Sequence, residues 1–491
     1  VRQAWRAAAI RSAEEALAAM LPPGTLMQRA AAGLARRCAG LLVDACGGVY
    51  GRSVALLVGA GDNGGDALFA GARLAARGAQ VTAVLTAPER VHAQGLAALR
   101  AAGGRVATTV PCTVDLVVDG IVGIGAHGGL RDTAAELVTQ AEAAHARGGG
   151  RPLVVAVDVP SGIEVDTGAL PGVAVRADVT VTFGALKPGL LIGAGAVHSG
   201  LVELVDIGLA PWLRGDPALR VPDLADLTQW WPQPSVGDDK YTRGVVGVAT
   251  GSEAYPGAAL LSVAGALAGP VGMVRYAGAA ADLVRGGYPP VVAAERVAVA
   301  GRVQAWTCGS GLGMDTFAST ELRTVLATDV PVCLDADALT LLVDGGMAGA
   351  LRRRTAPTVL TPHDAEFARL AGGPPGPDRV EAALRLAAQT KAVVLLKGDR
   401  TIVASPDGHG YVNPTGTPAL ATAGTGDVLA GLLGALLAAG LSAERAALAA
   451  AYAHGLAGRY AAERGPVTSA DVADALPPAL ARAGLWQPTP A

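Results

Sequence analysis

Apolar and polar positions along this chain alternate between two periods. Short runs of Val, Leu, Ala and Thr at 53–58, 80–86, 115–118 and 153–157 are too brief for helices and read as buried strands. Between the first two, residues 59–78 carry a glycine turn and then a helical pattern, which predicts a helix starting near Asp66 and stopped by Gly78. Residues 25–37 show helical spacing at Leu26, Ala30 and Leu34 after the Pro22-Pro23-Gly24 break. The alternation restarts in the second half. Strands are expected at 245–250, 271–276, 303–307, 332–335, 358–360 and 393–397, with a helix at 256–268. Repeated strand–helix alternation implies mostly parallel sheets flanked by helices, an α/β class. Residues 211–234 hold five prolines with Trp212, Trp230 and Trp231 and no clear period. That stretch reads as a linker, and 491 residues are more than one ordinary core accommodates. The expected division is 1–215, a linker at 216–234, and 235–491.

Composition excludes more than it identifies. The net charge is −3 and the only lysines are Lys187, Lys240, Lys391 and Lys397, so no basic face for nucleic acid is expected. The five cysteines (Cys38, Cys46, Cys112, Cys308, Cys333) have no metal spacing and an odd count, which points to buried free thiols in a reducing cytoplasm. The window 254–274 lacks charge, but Pro256, Pro270 and its glycines favour a buried helix and strand over a membrane span, and 428–443 is too short to span. Arg2, Arg6, Arg11, Glu14 and Glu15 leave no room for the apolar core of a signal peptide.

Candidate chemistry collects where strands end. In 413–431 (NPTGTPALATAGTGDVLAG), Gly424, Thr425 and Gly426 form a turn feeding a helix, whose free N–H groups and dipole suit a phosphate oxyanion. Asp427 follows. A carboxylate is awkward beside phosphate, so it fits proton abstraction from a hydroxyl; the plainer alternative is an N-cap. In the first half, Gly59, Gly61 and Gly64 satisfy GxGxxG, yet the strand at 80–86 ends without the acidic residue a dinucleotide-binding fold places on the ribose. Two further strands deliver Asp119 and Asp158 to one edge, a carboxylate pair suited to proton transfer or to a cation. Elsewhere the pattern supplies GSEAYPGAAL from Gly251, GSGLG from Gly309, LDADAL from Leu334, TPHDAEF from Thr361 and KGDRT from Lys397.

Two resemblances follow from these motifs. The run Asp62-Asn63-Gly64-Gly65-Asp66, with Asp119, the segment from Asp158 to Gly162 and VTFGALKPGLL at 181–191, resembles the NAD(P)H-hydrate epimerases of the YjeF N-terminal family over roughly residues 10–210. Asp62 and Ala67 depart from that family's pattern. The second-half motifs resemble the ribokinase-like, ADP-dependent NAD(P)H-hydrate dehydratases from about 237 to 475, with Asp364-Ala365 in place of the usual Pro-Gly.

The resemblance implies a Rossmann-like three-layer domain joined to a ribokinase-like one, acting on NADHX and NADPHX in the cytoplasm as a homo-oligomer with no nucleic-acid or membrane partner. It implies that K⁺ is held by Asn63, Asp119 and Ser161, with Asp119 catalytic. The hydrate would meet Asp62 to Asp66, the loop Gly123, Ile124, Gly125, Ala126, His127, Gly128 and Gly129, and Asp158. In the second domain Lys397, Gly398, Asp399, Arg400, Thr401, Gly424, Thr425 and Gly426 would bind ADP with Mg²⁺. Ala258, Gly311, His363 and the catalytic Asp427 would face the hydrate. A ribokinase-like small-molecule kinase fused to a non-catalytic binding module is the alternative.

Overall fold

The apolar runs become the strands of two separate sheets in a computed structural model that describes residues 1–125, 128–130 and 132–487. Contacts divide the chain into one unit of Gln3–Ala218 and another running from Leu219, to which Val1 and Arg2 also belong. After β1 (Arg2–Ala4), the strands of the first unit are β2 (Ser53–Val58), β3 (Gln80–Leu85), β4 (Arg105–Ala107), β5 (Leu116–Gly120), β6 (Leu153–Val157), β7 (Val179–Phe183) and β8 (Leu201–Val205). They lie in the order β4-β3-β2-β5-β6-β7-β8 and every neighbouring pair is parallel. Consecutive residues of β2 enter opposite layers: Leu56 packs with Leu34, Leu42 and Leu68, whereas Leu57 packs with Val117, Leu137 and Val138. Burial on both faces explains why the run is continuous rather than alternating. The chain leaves β2 toward β3 and β4, then returns to β5, so the topological switch point lies between β2 and β5.

The helix after β2 spans Asp62–Ala75 and so begins before Asp66, with Gly61 in an extended conformation at its N-cap. The glycine pair that reads as a turn is instead the helix's first turn. A Cβ at Gly64 would fall 2.3 Å from the carbonyl of Gly59, so only glycine lets the helix start this close to β2.

The second unit contains β9 (Leu219–Val221), β10 (Val245–Ala249), β11 (Met273–Ala277), β12 (Val292–Ala294), β13 (Ala305–Cys308), β14 (Val332–Leu334), β15 (Thr358–Leu360), β16 (Val393–Leu396), β17 (Ile402–Ala404) and β18 (Gly410–Val412). Its order is β1-β9-β18-β17-β16-β15-β14-β13-β10-β11-β12, parallel from β10 through β16, with β17 antiparallel to both neighbours. The helix Thr425–Ala438 is apolar all round because it is buried on nearly every face. It crosses the helix Pro256–Leu267 at backbone contact: a Cβ at Gly431 would lie 1.9 Å from Ser262 O, and one at Gly265 2.1 Å from Val428 O.

Two sequence expectations change here. The stretch expected as a linker is folded from Leu219 onward: β9 pairs with β18, Leu224–Trp230 is a helix closed by an Asp223–Asp226 capping box, and Trp231 is buried in the second core. Proline frequency marked the stretch as a linker, but apolar Leu219, Val221, Leu227 and Trp231 have a core to enter. The cysteines are all free, yet only Cys38, Cys308 and Cys333 are buried; Cys46 is half-buried and Cys112 exposed. Among the described residues no helix is long and apolar enough to cross a membrane.

Candidate functional site

In the first unit a cavity of about 710 Å³ opens at the carboxyl ends of the strands, beside the switch point. Asp62, Asn63 and Asp66 reach it from the helix after β2, the loop after β5 contributes Gly123, Ile124, Gly125, Gly128 and Gly129, and Asp158 enters from the end of β6. Gly128 N donates to Glu164 Oε1 at 2.8 Å, which fastens the far end of that loop. Ala126 and His127 lie outside the described residues.

Asp158 holds the left-handed conformation at φ 65°, uncommon for a non-glycine residue and often found at functional sites. Its Oδ1 accepts from Phe183 N (3.1 Å), Thr182 Oγ1 (3.2 Å) and the Lys187 ammonium. Lys187 is only 1% exposed and also donates to Phe183 O at 3.0 Å, so this buried ion pair is saturated with partners. Asp66 is no N-cap. It sits inside the helix, one carboxyl oxygen has no partner among the described residues, and burial with Asp158, Asp62 and Glu14 pushes its pKa well above the ordinary carboxylate range.

The structure corrects three first-site expectations. Asp119 is fully buried below the cavity rather than on its wall. Its oxygens are occupied: Oδ2 accepts from Ser161 N (2.8 Å), and Oδ1 from Ser161 Oγ (2.6 Å) and Ile121 N (3.3 Å). These bonds tie it to Ser161 and to the loop after β5. Gly64 and Gly65 are likewise off the wall, the first against Gly59 and the second against Met27 and His92. Asn63 Nδ2 donates to Val122 O at 2.9 Å, and Ser161 Oγ accepts from Val122 N at 3.0 Å, so Asn63, Asp119 and Ser161 do meet around one loop. Burial pushes Asp119 up to about 6, against the hydrogen bonds from Ser161 and Ile121, and no cationic side chain is among the groups that shift it. Ala67, where the family has glycine, sits against Gly120, at which a Cβ would fall 2.7 Å away.

In the second unit the motifs converge at the carboxyl edge of β10, β13, β14, β15 and β16. Gly424, left-handed at φ 88°, is the N-cap of the helix Thr425–Ala438, and its carbonyl accepts from Asp427 N at 3.1 Å. Asp427 is therefore the third residue of the helix and not its cap. Burial first, then Asp335, raises its pKa to about 7; Lys397 and a hydrogen bond from Ser310 pull down, and Asp337 adds a smaller upward push. The NPTGT loop packs on KGDRT, where a Cβ at Gly416 would lie 1.8 Å from Asp399 O, and is tied to the helix Ala443–Ala462 by Asn413 Nδ2, which donates to Ala451 O at 2.9 Å. A Cβ at Gly426 would lie 3.6 Å from Lys397 Nζ, so KGDRT and AGTGD share one site. Around Lys397, Arg400 binds Pro414 O at 3.1 Å and Thr401 Oγ1 binds Gly398 O at 3.0 Å. Ala258 and Gly311 are also neighbours, with only 2.7 Å available to a Cβ at Gly311.

His363 has a structural duty. Its Nδ1 accepts from Ala365 N (3.1 Å) and Glu366 N (3.4 Å), capping the helix Asp364–Ala371, so the ring proton sits on Nε2, 3.3 Å from Glu366 Oε1. Asp364 accepts a two-pronged pair from Arg379 at 2.7 and 2.8 Å, and Arg379 also donates to Lys397 O, which ties the departing residue to the KGDRT loop. Nothing in the structure explains Ala365.

Sequence reasoning missed the network beneath this site. Asp335 accepts from Thr361 Oγ1 (2.7 Å), Lys397 Nζ (2.7 Å) and Ser310 Oγ (3.0 Å), each from a motif at a different strand end. The signal was present: one polar residue in each motif sits directly after an apolar run. Glu14 on the first cavity was missed as well, and it belongs to no motif.

Residues 23–189 match the family described as YjeF-related protein N-terminus, and 246–478 the family described as NAD(P)H-hydrate dehydratase. The chain is 50% identical over 439 residues to a bifunctional NAD(P)H-hydrate repair enzyme of Mycobacterium leprae, covering 89% of each. It is 50% identical over 430 residues to the enzyme of the same name from Mycobacterium tuberculosis H37Rv, covering 87% of each. A solved ribokinase-like superfamily protein from Enterococcus faecalis V583 is 26% identical, with TM-score 0.50, over 55% of this chain and 98% of that one.

Proposed function

The chain belongs to the bifunctional NAD(P)H-hydrate repair enzymes, and we propose that its two units divide the work between them. The first interconverts the C6 epimers of NADHX and NADPHX, and the second dehydrates the S epimer to the reduced cofactor at the expense of ADP. The observation that carries the second assignment is Asp427, a carboxyl raised to about 7 in the first turn of a helix that opens on a glycine phosphate seat.

The bond to be broken dictates the chemistry. Hydroxide leaves poorly, so the C6 hydroxyl is first made into phosphate. Asp427 accepts the hydroxyl proton while the oxygen bonds to the β-phosphorus of ADP and AMP departs. The amides opening the helix at Gly424 and the Lys397 ammonium face the transferring phosphoryl charge. The ring nitrogen's lone pair then expels phosphate, and loss of the C5 proton restores the double bond. Mg²⁺ accompanies the nucleotide as the counter-charge of its phosphates.

For the first unit, the residues fit a monovalent cation. Asn63, Asp119 and Ser161 offer only oxygen to an ion, and among the described residues no cationic side chain is among the groups that shift the buried Asp119. K⁺ held there would supply the missing positive charge. Asp119 then fixes Ser161 and the loop after β5, and Asp158, oriented by Lys187, presents a carboxylate to the hydrate.

Incubation of hydrated NADH with ADP, Mg²⁺ and K⁺ tests the assignment. The absorbance of the reduced nicotinamide should return with one AMP and one phosphate for each NADH. A stable phosphate ester as end product would mean an ordinary kinase instead.

A further inference from the structure

Glu14 lies on the helix Ala7–Ala18, outside every glycine motif and outside the residues proposed for K⁺, yet it lines the cavity that holds Asp62, Asp66 and Asp158. Burial first, then Asp158, drives its carboxyl up to about 7; Lys187 pulls down, Asp62 pushes up, and Arg11 pulls down. Asp66 feels Glu14 in turn and keeps a buried oxygen that has no partner among the described residues. Asp158 differs, because Lys187, Thr182 and Phe183 N all donate to its Oδ1.

We infer that Glu14 is the catalytic proton carrier of the first site, and that the C6 epimers interconvert by loss and re-addition of water. The inference rests on the first unit being the epimerase. Protonated Glu14 gives its proton to the C6 hydroxyl, the C6–O bond breaks, and water leaves. The lone pair of the ring nitrogen forms a C6=N bond, so positive charge develops on the ring. Water then adds to C6 from the opposite face and gives a proton to solvent, from which Glu14 regains its own. Nothing is consumed.

An acidic cavity explains itself under this route. The side-chain oxygens of Asp62, Asp66 and Asp158 stabilise a cation that exists only between the two epimers, which is where stabilisation accelerates a reaction. Opening of the ring through deprotonation of the hydroxyl would instead build negative charge among those carboxylates. The departing water lies on the wrong face to return with inversion, so the new oxygen comes from solvent.

Epimerisation in ¹⁸O-labelled water by the full chain, without ADP, tests the route. One solvent oxygen should enter C6 for each inversion, and inversion with the original oxygen retained overturns it. Glu14→Gln should slow epimerisation by about 10²-fold or more, as loss of a general acid does. It should also remove the fall in rate above about pH 7 that the wild-type chain shows as Glu14 loses its proton. Dehydration of the S epimer, catalysed in the other unit, should be unchanged. An unaltered rate and pH profile in Glu14→Gln overturn the assignment. A wild-type chain that dehydrates the S epimer but cannot interconvert the two overturns the reading of the site itself.

Discussion

Lys397 Nζ lies 2.7 Å from Asp335 Oδ1, and the pair joins the end of β16 to the end of β14 directly under Asp427. Glu366 Oε2 stands 3.6 Å from the same ammonium. Burial alone would lower the lysine's pKa, but Asp335 and Glu366 carry it above the ordinary value, which favours the cation. One positive charge thus serves two buried carboxylates and holds down the pKa of a third.

Lys397→Met should leave Asp335 buried and unpaired. Removing one partner of such a pair typically destabilises by about 3–5 kcal/mol. The variant should therefore unfold at lower denaturant, and its rate of dehydration should need higher pH, because Lys397 is what lowers Asp427. Unchanged denaturant and pH midpoints would remove the lysine from this role.

Asp427→Asn keeps the shape and removes the base. Dehydration should fall by about 10²–10⁴-fold while ADP still binds, measured by single-turnover rate and calorimetry. In the wild-type chain the base works as a carboxylate, so the rate should rise as pH passes upward through about 7 and then level. A flat profile over that range would point to a different base.

Gly431→Ala tests the fold alone. The added Cβ would lie 1.9 Å from Ser262 O, a backbone atom that cannot rotate aside. Overpacking of this kind costs about 1–3 kcal/mol. A chemical-denaturation midpoint equal to wild type would show that the two helices separate more easily than their contact implies.

Asp119 gives the first unit a pH signature. Its folded-state pKa, about 6, is above the ordinary 3.8, so between the two values the folded chain holds a proton that the unfolded chain releases. That contribution to stability is complete in acid and is lost as pH rises through about 6. K⁺ should restore stability above that point, and Asp119→Asn should abolish both the pH dependence and the K⁺ effect. Thermal melts at pH 5 and pH 7, with K⁺ or a bulky organic cation, decide this. Identical K⁺ responses in wild type and variant would move the ion elsewhere.

Much of this arrangement was legible in the sequence because it is local. The glycine turns, the acids after strands and the order of motifs are properties of adjacent residues, and they located both sites. What stayed hidden depends on residues distant in the chain. Asp119 reads as catalytic from its place after a strand, but only Ser161 N and Oγ, from another strand end, show that its oxygens are taken. Glu14 belongs to a helix whose apolar stripe of Ile10, Ala13 and Leu17 says nothing about what its polar side faces. The folded stretch after Leu219 escaped for the same reason: β9 has three residues, and its partner β18 lies far along the chain.

The central claim is that one chain carries two catalysts working in sequence. Asp158→Asn tests it, because asparagine tolerates the left-handed backbone at φ 65° while lacking the charge. Given a mixture of both hydrate epimers with ADP, Mg²⁺ and K⁺, the variant should consume the S epimer at the wild-type rate. It should then stall at a plateau equal to the measured S fraction, creeping on only as fast as the epimers interconvert unaided. The wild-type chain should run to completion in one phase. Complete single-phase conversion by Asp158→Asn would contradict the account: either the first cavity is not the epimerase site, or the second site does not distinguish the epimers.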